Sequence, residues 1–232
     1  MPEIIINGSE GRLEGRYHHS DQKGAPVVLV LHPHPVYGGT MNNKIVYRLY
    51  HTFAQNGFSV LRFNFRGVGK SQGKYDDGVG ELTDAATALD WLQLQNPDAM
   101  TCWISGFSFG AWIALQLLMR RPEIEGFVAV SPPANLYDFS FLSPCPAAGL
   151  ITQGDRDDVV TEESVSKLAH KLGGQSGSQV EYKGISGADH YYRGVEGDLD
   201  AVVGDYVLRR MQDFKQKRKV RPDRKRRQLP RD

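Results

Sequence analysis

Residues 101–118 read TCWISGFSFGAWIALQLL, and the change of period inside this stretch decides the fold. Residues 101–105 form a short run rich in apolar and β-prone side chains, the composition of a buried strand. From Ala111 onward the apolar residues return as Ala111, Ala114, Leu115 and Leu118, the spacing of one helix face. Between the two stands Gly106-Phe107-Ser108-Phe109-Gly110, a G-x-S-x-G sequence with no room for a loop. A strand that turns straight into a helix sets its middle residue on a sharp, exposed corner, and the two elements pass too closely for side chains two residues on either side. Ser108 is therefore expected on such an elbow, placed as a nucleophile.

With 25 glycines in the chain, G-x-S-x-G is a weak signal without that context. A second copy, Gly69-Lys70-Ser71-Gln72-Gly73, lacks it: the KYDDGVG that follows is a polar turn with no helical face. The same region, Gly67-Val68-Gly69-Lys70-Ser71, has the end of a phosphate-binding loop. The glycine that such a loop needs five residues before Gly69 is Asn64, and no helix follows to aim its N-terminus at a phosphate.

Working outward from the elbow, apolar β-type runs at 3–7, 11–17, 27–31, 58–63, 101–105, 126–130, 147–152 and 179–182 alternate with helical patterns near 42–55, 79–95, 110–121, 161–172 and 196–215. The first two runs suit an antiparallel pair. The other six, separated by helices, suit parallel crossovers, so the expected class is α/β with a mainly parallel sheet of about eight strands. Only residues 131–146 separate the sixth strand from the seventh, too few for a large cap domain. Their Leu136, Tyr137, Phe139, Phe141 and Leu142 either wall a shallow pocket or pack into the core.

Composition agrees with one globular domain: 232 residues, 40% hydrophobic and 24% charged. The formal charge of +1 hides an asymmetry, because residues 215–232 carry ten Lys or Arg against two Asp. Residues 1–214 are read as the domain and 215–232 as a basic tail with almost nothing to bury, either disordered or extending the last helix, and open to weak contact with polyanions. No signal-peptide pattern and no membrane-spanning apolar run occurs, which suggests a cytoplasmic protein. Cys102 and Cys145 are too few for a disulfide framework and read as reduced. Nothing in the sequence sets an oligomeric state.

A serine hydroxyl needs a base to take its proton. Of seven histidines, His18, His19, His51 and His170 lie in polar surroundings and read as surface residues. His190, in Gly187-Ala188-Asp189-His190, follows the last strand and precedes the last helix, where a base completing the chain order serine, acid, histidine belongs. The acid should follow the seventh strand, where Asp155, Asp157 and Asp158 crowd together around Arg156. Residue chemistry alone does not choose among them; one must face the imidazole, and the others stay hydrated or pair with Arg156.

Taken together, the elbow, the Gly-x-x-Asp-x-Val-Val segment at 154–160 and the Gly-x-Asp-His segment at 187–190 resemble the α/β-hydrolase superfamily over roughly residues 25–214. More narrowly, Leu31-His32-Pro33-His34-Pro35 with Tyr37-Gly38-Gly39-Thr40-Met41, and Phe65-Arg66-Gly67-Val68-Gly69-Lys70-Ser71, resemble small bacterial hydrolases near the dienelactone-hydrolase and acyl-peptidase branches. The resemblance implies Asp157 as the acid, beside Ser108 and His190, and a serine hydrolase that needs no cofactor. Dienelactone hydrolases use a cysteine nucleophile, so their substrate does not transfer.

His-Pro-His-Pro stands where His-Gly is usual in that superfamily. One oxyanion donor is expected from the Phe109 backbone N–H and a second from the loop after strand 27–31. Pro33 and Pro35 have no N–H to give, which favours His34, with Val36 and Tyr37 as alternatives. A metal held by His32 and His34 lacks a nearby third ligand, and His32 reads as a loop anchor. The substrate expected is a small ester-like molecule, with thioester, lactone and peptide open. A rival is a catalytically idle hydrolase fold that binds through its basic tail.

Overall fold

The computed structural model describes residues 3–220. Eight strands form one sheet in the order β1-β2-β4-β3-β5-β6-β7-β8. They are β1 (Glu3–Gly8), β2 (Gly11–His18), β3 (Val27–Leu31), β4 (Ser59–Phe63), β5 (Cys102–Phe107), β6 (Ile124–Val130), β7 (Ala148–Gly154) and β8 (Val180–Ile185). β1 pairs antiparallel with β2, and β2 antiparallel with β4; every other pairing is parallel. The helices are α1 (Lys44–Gln55), α2 (Val79–Gln95), α3 (Phe109–Leu118), α4 (Glu162–Gly173) and α5 (Glu196–Val220).

The alternation of side chains along β3 builds the layers. Val27, Leu29 and Leu31 face one core with the buried sides of α2, α3 and α4, while Val28 and Val30 face a second core with α1 and α5. A strand covered on both faces has no polar side to show, which is why 27–31 is a continuous apolar run.

Element boundaries depart from expectation for local reasons. β5 runs on to Phe107 and α3 begins at Phe109, so the elbow is tighter than the glycines suggest: Gly106 continues the strand instead of ending it. α3 stops at Leu118, short of 121, because Pro122 disfavours helical backbone before it. α5 continues beyond 215 to Val220, since Lys, Arg and Gln are good helix formers. The expectation of disorder for the tail falls largely on residues 221–232, outside the described residues. No helix among the described residues is long and apolar enough to cross a membrane.

His51 is not the surface residue its polar neighbours implied. On α1 it lies half-buried against the rings of Tyr47 and Tyr50, with Nε2 buried and without a hydrogen-bond partner among the described residues. Both cysteines are free, and burial pushes the Cys102 thiol up to about 12, which keeps it un-ionised and unreactive.

Candidate active site

Parallel strands deliver their following loops to one edge of the sheet. His34 follows β3, Ser108 follows β5, Asp157 follows β7 and His190 follows β8, and the structure gathers all four there. Ser108, Phe109, His34 and His190 line one cleft of about 710 Å³, and Asp157 stands behind His190.

Ser108 sits at φ 54°, a left-handed conformation that non-glycine residues hold only where their surroundings force it. The forcing is visible at the two glycines. A Cβ on Gly106 would meet the Gly110 backbone at 2.3 Å, and one on Gly110 would meet the carbonyl oxygens of Leu31 and His32 at 2.5 Å. The elbow is thus wedged against β3 and the loop that follows it. Phe109, the first residue of α3, has no intrahelical acceptor for its N–H, which remains available in the cleft beside the positive end of the helix dipole.

His190 Nδ1 donates to Asp157 Oδ2 at 2.7 Å, and both side chains are buried. That bond puts the proton on Nδ1 and leaves Nε2 with a lone pair for the serine proton. Asp157 has further donors: the N–H groups of Val159 (2.9 Å) and Val160 (2.8 Å) on Oδ1, and Gln153 Nε2 (2.9 Å) on Oδ2. Burial pushes its carboxyl up, but the bonds from His190, Val160 and Gln153 outweigh this and hold it below the usual carboxylate range. Asp157 is therefore held as the carboxylate beside His190. Among the described residues the Ser108 hydroxyl has no hydrogen-bond partner; in resting enzymes the serine–histidine bond is often long and tightens with substrate.

The crowded carboxylates divide their tasks. Asp155 stays exposed to solvent, as expected, and instead of pairing with Arg156 it accepts from Gly187 N–H at 2.6 Å and Ser186 Oγ at 3.0 Å, tying down the loop that carries His190. The buried Tyr192, at φ 56°, fixes the other end of that loop through its hydroxyl, bonded to Ser131 (3.0 Å) and Thr152 (3.2 Å). Sequence reasoning missed Gln153 and Tyr192. A polar Gln at the end of an apolar strand, just before the acid, was the available signal for the first; Tyr192 gave none.

The loop after β3 is anchored by His32, which is fully buried. Phe65 N–H donates to its Nε2 (3.0 Å), so Nδ1 carries the proton and donates to Pro33 O (2.7 Å). Neither nitrogen is free for a metal. Burial drives the imidazole down to about 4, so between that value and its unfolded value near 6.5 the unfolded chain binds a proton that the folded chain does not. The corresponding stability, on the order of 3 kcal/mol, is present above pH 6.5 and is lost as pH falls toward 4. His34 and His51, also pushed down by burial, act in the same direction. Thermal melts from pH 7 to 4 should show a falling midpoint, with a shallower fall in His32→Gln from a lower starting value. A midpoint constant over that range would contradict the buried neutral His32.

Ser71, in the second G-x-S-x-G, is a structural tie: its hydroxyl donates to Asn64 O (2.7 Å) and accepts from Glu14 N–H (2.9 Å).

The cleft walls are apolar. His34 and Tyr37 form one side, Leu136 and Tyr137 another, and Val159 and Tyr191 the rim; among the described residues no Asp, Glu, Lys or Arg lines it. Of the five residues expected between β6 and β7, only Leu136 and Tyr137 reach the cleft. Phe139 and Leu142 are buried in the core and Phe141 packs against it.

Fold and elbow together place the chain among the serine hydrolases of the α/β-hydrolase superfamily. Within it, residues 17–193 match the X-Pro dipeptidyl-peptidase (S15) family, to which the chain belongs. An uncharacterised protein of Rickettsia prowazekii is 55% identical over 212 residues, which cover 90% of this chain and 89% of that protein. A crystallised protein of unknown function from Agrobacterium tumefaciens is 54% identical with a TM-score of 0.89, covering 91% and 97% of the two chains. A Xanthomonas campestris member of the α/β serine hydrolases without a lid is 31% identical with a TM-score of 0.81, covering 90% and 94%.

Proposed function

We propose that the protein is a carboxylesterase for small, neutral acyl esters, with Ser108 as nucleophile, His190 as base, Asp157 as orienting acid, and the main-chain N–H groups of His34 and Phe109 as the oxyanion hole. The observation that carries this reading is the carboxylate-held His190 in one apolar, uncharged cleft with Ser108. Ser108 Oγ attacks the ester carbon while its proton passes to His190 Nε2, and the carbonyl oxygen takes the negative charge toward the two N–H groups. The C–O bond to the alcohol then breaks, and His190 gives the leaving oxygen its proton. Water repeats the sequence on the acyl-enzyme: it loses a proton to His190, attacks the acyl carbon, and Ser108 leaves with that proton restored.

The family match favours a second reading, release of X-Pro dipeptides. A dipeptidyl peptidase must hold its substrate's charged N-terminal ammonium two residues from the scissile bond, and a desolvated ammonium needs an anionic partner. No carboxylate lines the cleft among the described residues: Asp157 stands behind His190, and Asp77, whose charge reaches His34, lies outside the lining. Acyl length follows from the wall. With Phe139 and Leu142 withdrawn into the core, Leu136 and Tyr137 can hold only the first few carbons. Each buried methylene is worth about 0.8 kcal/mol, so carbons beyond that wall add little transition-state binding. The lidless Xanthomonas campestris relative supports an uncovered site.

Steady-state kcat/KM should peak at short acyl chains across p-nitrophenyl esters, show no jump above the micellar concentration, and be negligible for Gly-Pro-p-nitroanilide. An optimum at long chains, or efficient release of p-nitroaniline from the dipeptide, would overturn the assignment.

A further inference from the structure

We infer that Tyr75 is a positioning residue for the oxyanion hole, acting through the imidazole of His34; this rests on the reading of His34 and Phe109 as the hole's two donors. Because prolines flank His34, its N–H is the only one on residues 33–35, and its orientation depends on how the residue is held. The side chain is held by two hydrogen bonds and by ring contacts. Val36 N–H donates to Nδ1 (3.2 Å), which makes Nδ1 the acceptor and places the proton of the neutral ring on Nε2. Nε2 lies 3.1 Å from the Tyr75 hydroxyl and donates to it. The ring also lies tilted against Phe109, with centroids 4.8 Å apart, and against Tyr37, at 4.7 Å.

The contact with Phe109 joins the hole's two halves. His34 belongs to the loop after β3 and Phe109 to the start of α3, so their tilted ring contact sets one proposed donor against the other. Tyr75, from the segment between β4 and α2, closes on this pair of rings, its own ring 5.0 Å from His34 and 6.2 Å from Phe109. Burial, and next Tyr137, push the Tyr75 phenol up, so it stays un-ionised and able to accept from Nε2. Burial also pushes His34 down, which favours the neutral ring this pattern requires. Tyr75 touches no reacting atom in this scheme. It sets the aim of an N–H group one residue removed.

The test is the second-order rate of Ser108 phosphonylation by a small fluorophosphonate, whose oxygen occupies the same hole as an ester's, read beside kcat and KM for p-nitrophenyl acetate. Tyr75→Phe keeps the ring and removes the hydroxyl. It should slow phosphonylation and lower kcat by about three- to ten-fold, the worth of one hydrogen bond, with KM within two-fold and the melting midpoint unchanged. Tyr17→Phe, which loses a hydroxyl bonded to Asn96 far from the cleft, should label at the wild-type rate. Wild-type labelling and kcat in Tyr75→Phe, or a loss matched by a fall in melting midpoint, would overturn the proposal. Failure of the wild-type protein to label at all would overturn the serine-nucleophile reading itself, and the role of Tyr75 with it.

Discussion

Ser108→Ala lowers kcat/KM for a short-chain ester by about 10⁴-fold or more and leaves the melting midpoint close to wild type. The activity falls because nothing else in the cleft can form the acyl-enzyme, and members of such a unit fail together. Stability holds because alanine tolerates φ 54° no better and no worse than serine, and the Ser108 hydroxyl has no hydrogen bond to lose among the described residues. Ser71→Ala has the opposite profile. Its buried hydroxyl bridges Glu14 and Asn64, so its removal leaves two backbone groups short of a partner and costs about 1–3 kcal/mol, while turnover is retained. Rates and thermal melts on the two purified variants check the pair; exchanged profiles would mean the elbow is at the other motif.

Asp157→Asn is expected to cost about 10³- to 10⁴-fold in kcat with little change in KM. An asparagine there can turn its NH₂ toward His190 Nδ1, which then becomes the acceptor and moves the ring proton to Nε2, where it blocks uptake of the serine proton. Asp155→Asn should cost less than about ten-fold, since an amide oxygen can still accept from Gly187 N–H and only the loop's tethering weakens. Kinetics on both variants distinguish orientation of the base from support of its loop. Equal losses would show that the two carboxylates share the role.

How much of this was legible in the sequence depended on the range of the interaction. All eight strands and five helices follow from local periodicity, and the elbow follows from the switch of period at residues 106–110, because strand, turn and helix are each coded within a few residues. Ser108 and His190 could be placed because parallel topology turns chain order into spatial order. Among Asp155, Asp157 and Asp158, residue chemistry could not choose: the choice is made by Gln153 and the N–H groups of Val159 and Val160, which build a cradle around one carboxylate. The cleft wall was half legible, since an apolar residue between two strands can point to solvent, as Leu136 does, or inward, as Leu142 does, without a change of type. The contact between His34 and Tyr75 left no mark in the sequence. It joins residues from two loops across the sheet edge, and neither side chain departs from any local pattern.

Ser108 is proposed as the activated nucleophile. Labelling the purified protein with a fluorophosphonate, then digesting it and locating the adduct by mass spectrometry, tests this most directly. One adduct per chain, on Ser108, lost in Ser108→Ala and strongly slowed in His190→Ala, is the predicted result. No adduct, or an adduct on Ser71, would contradict it.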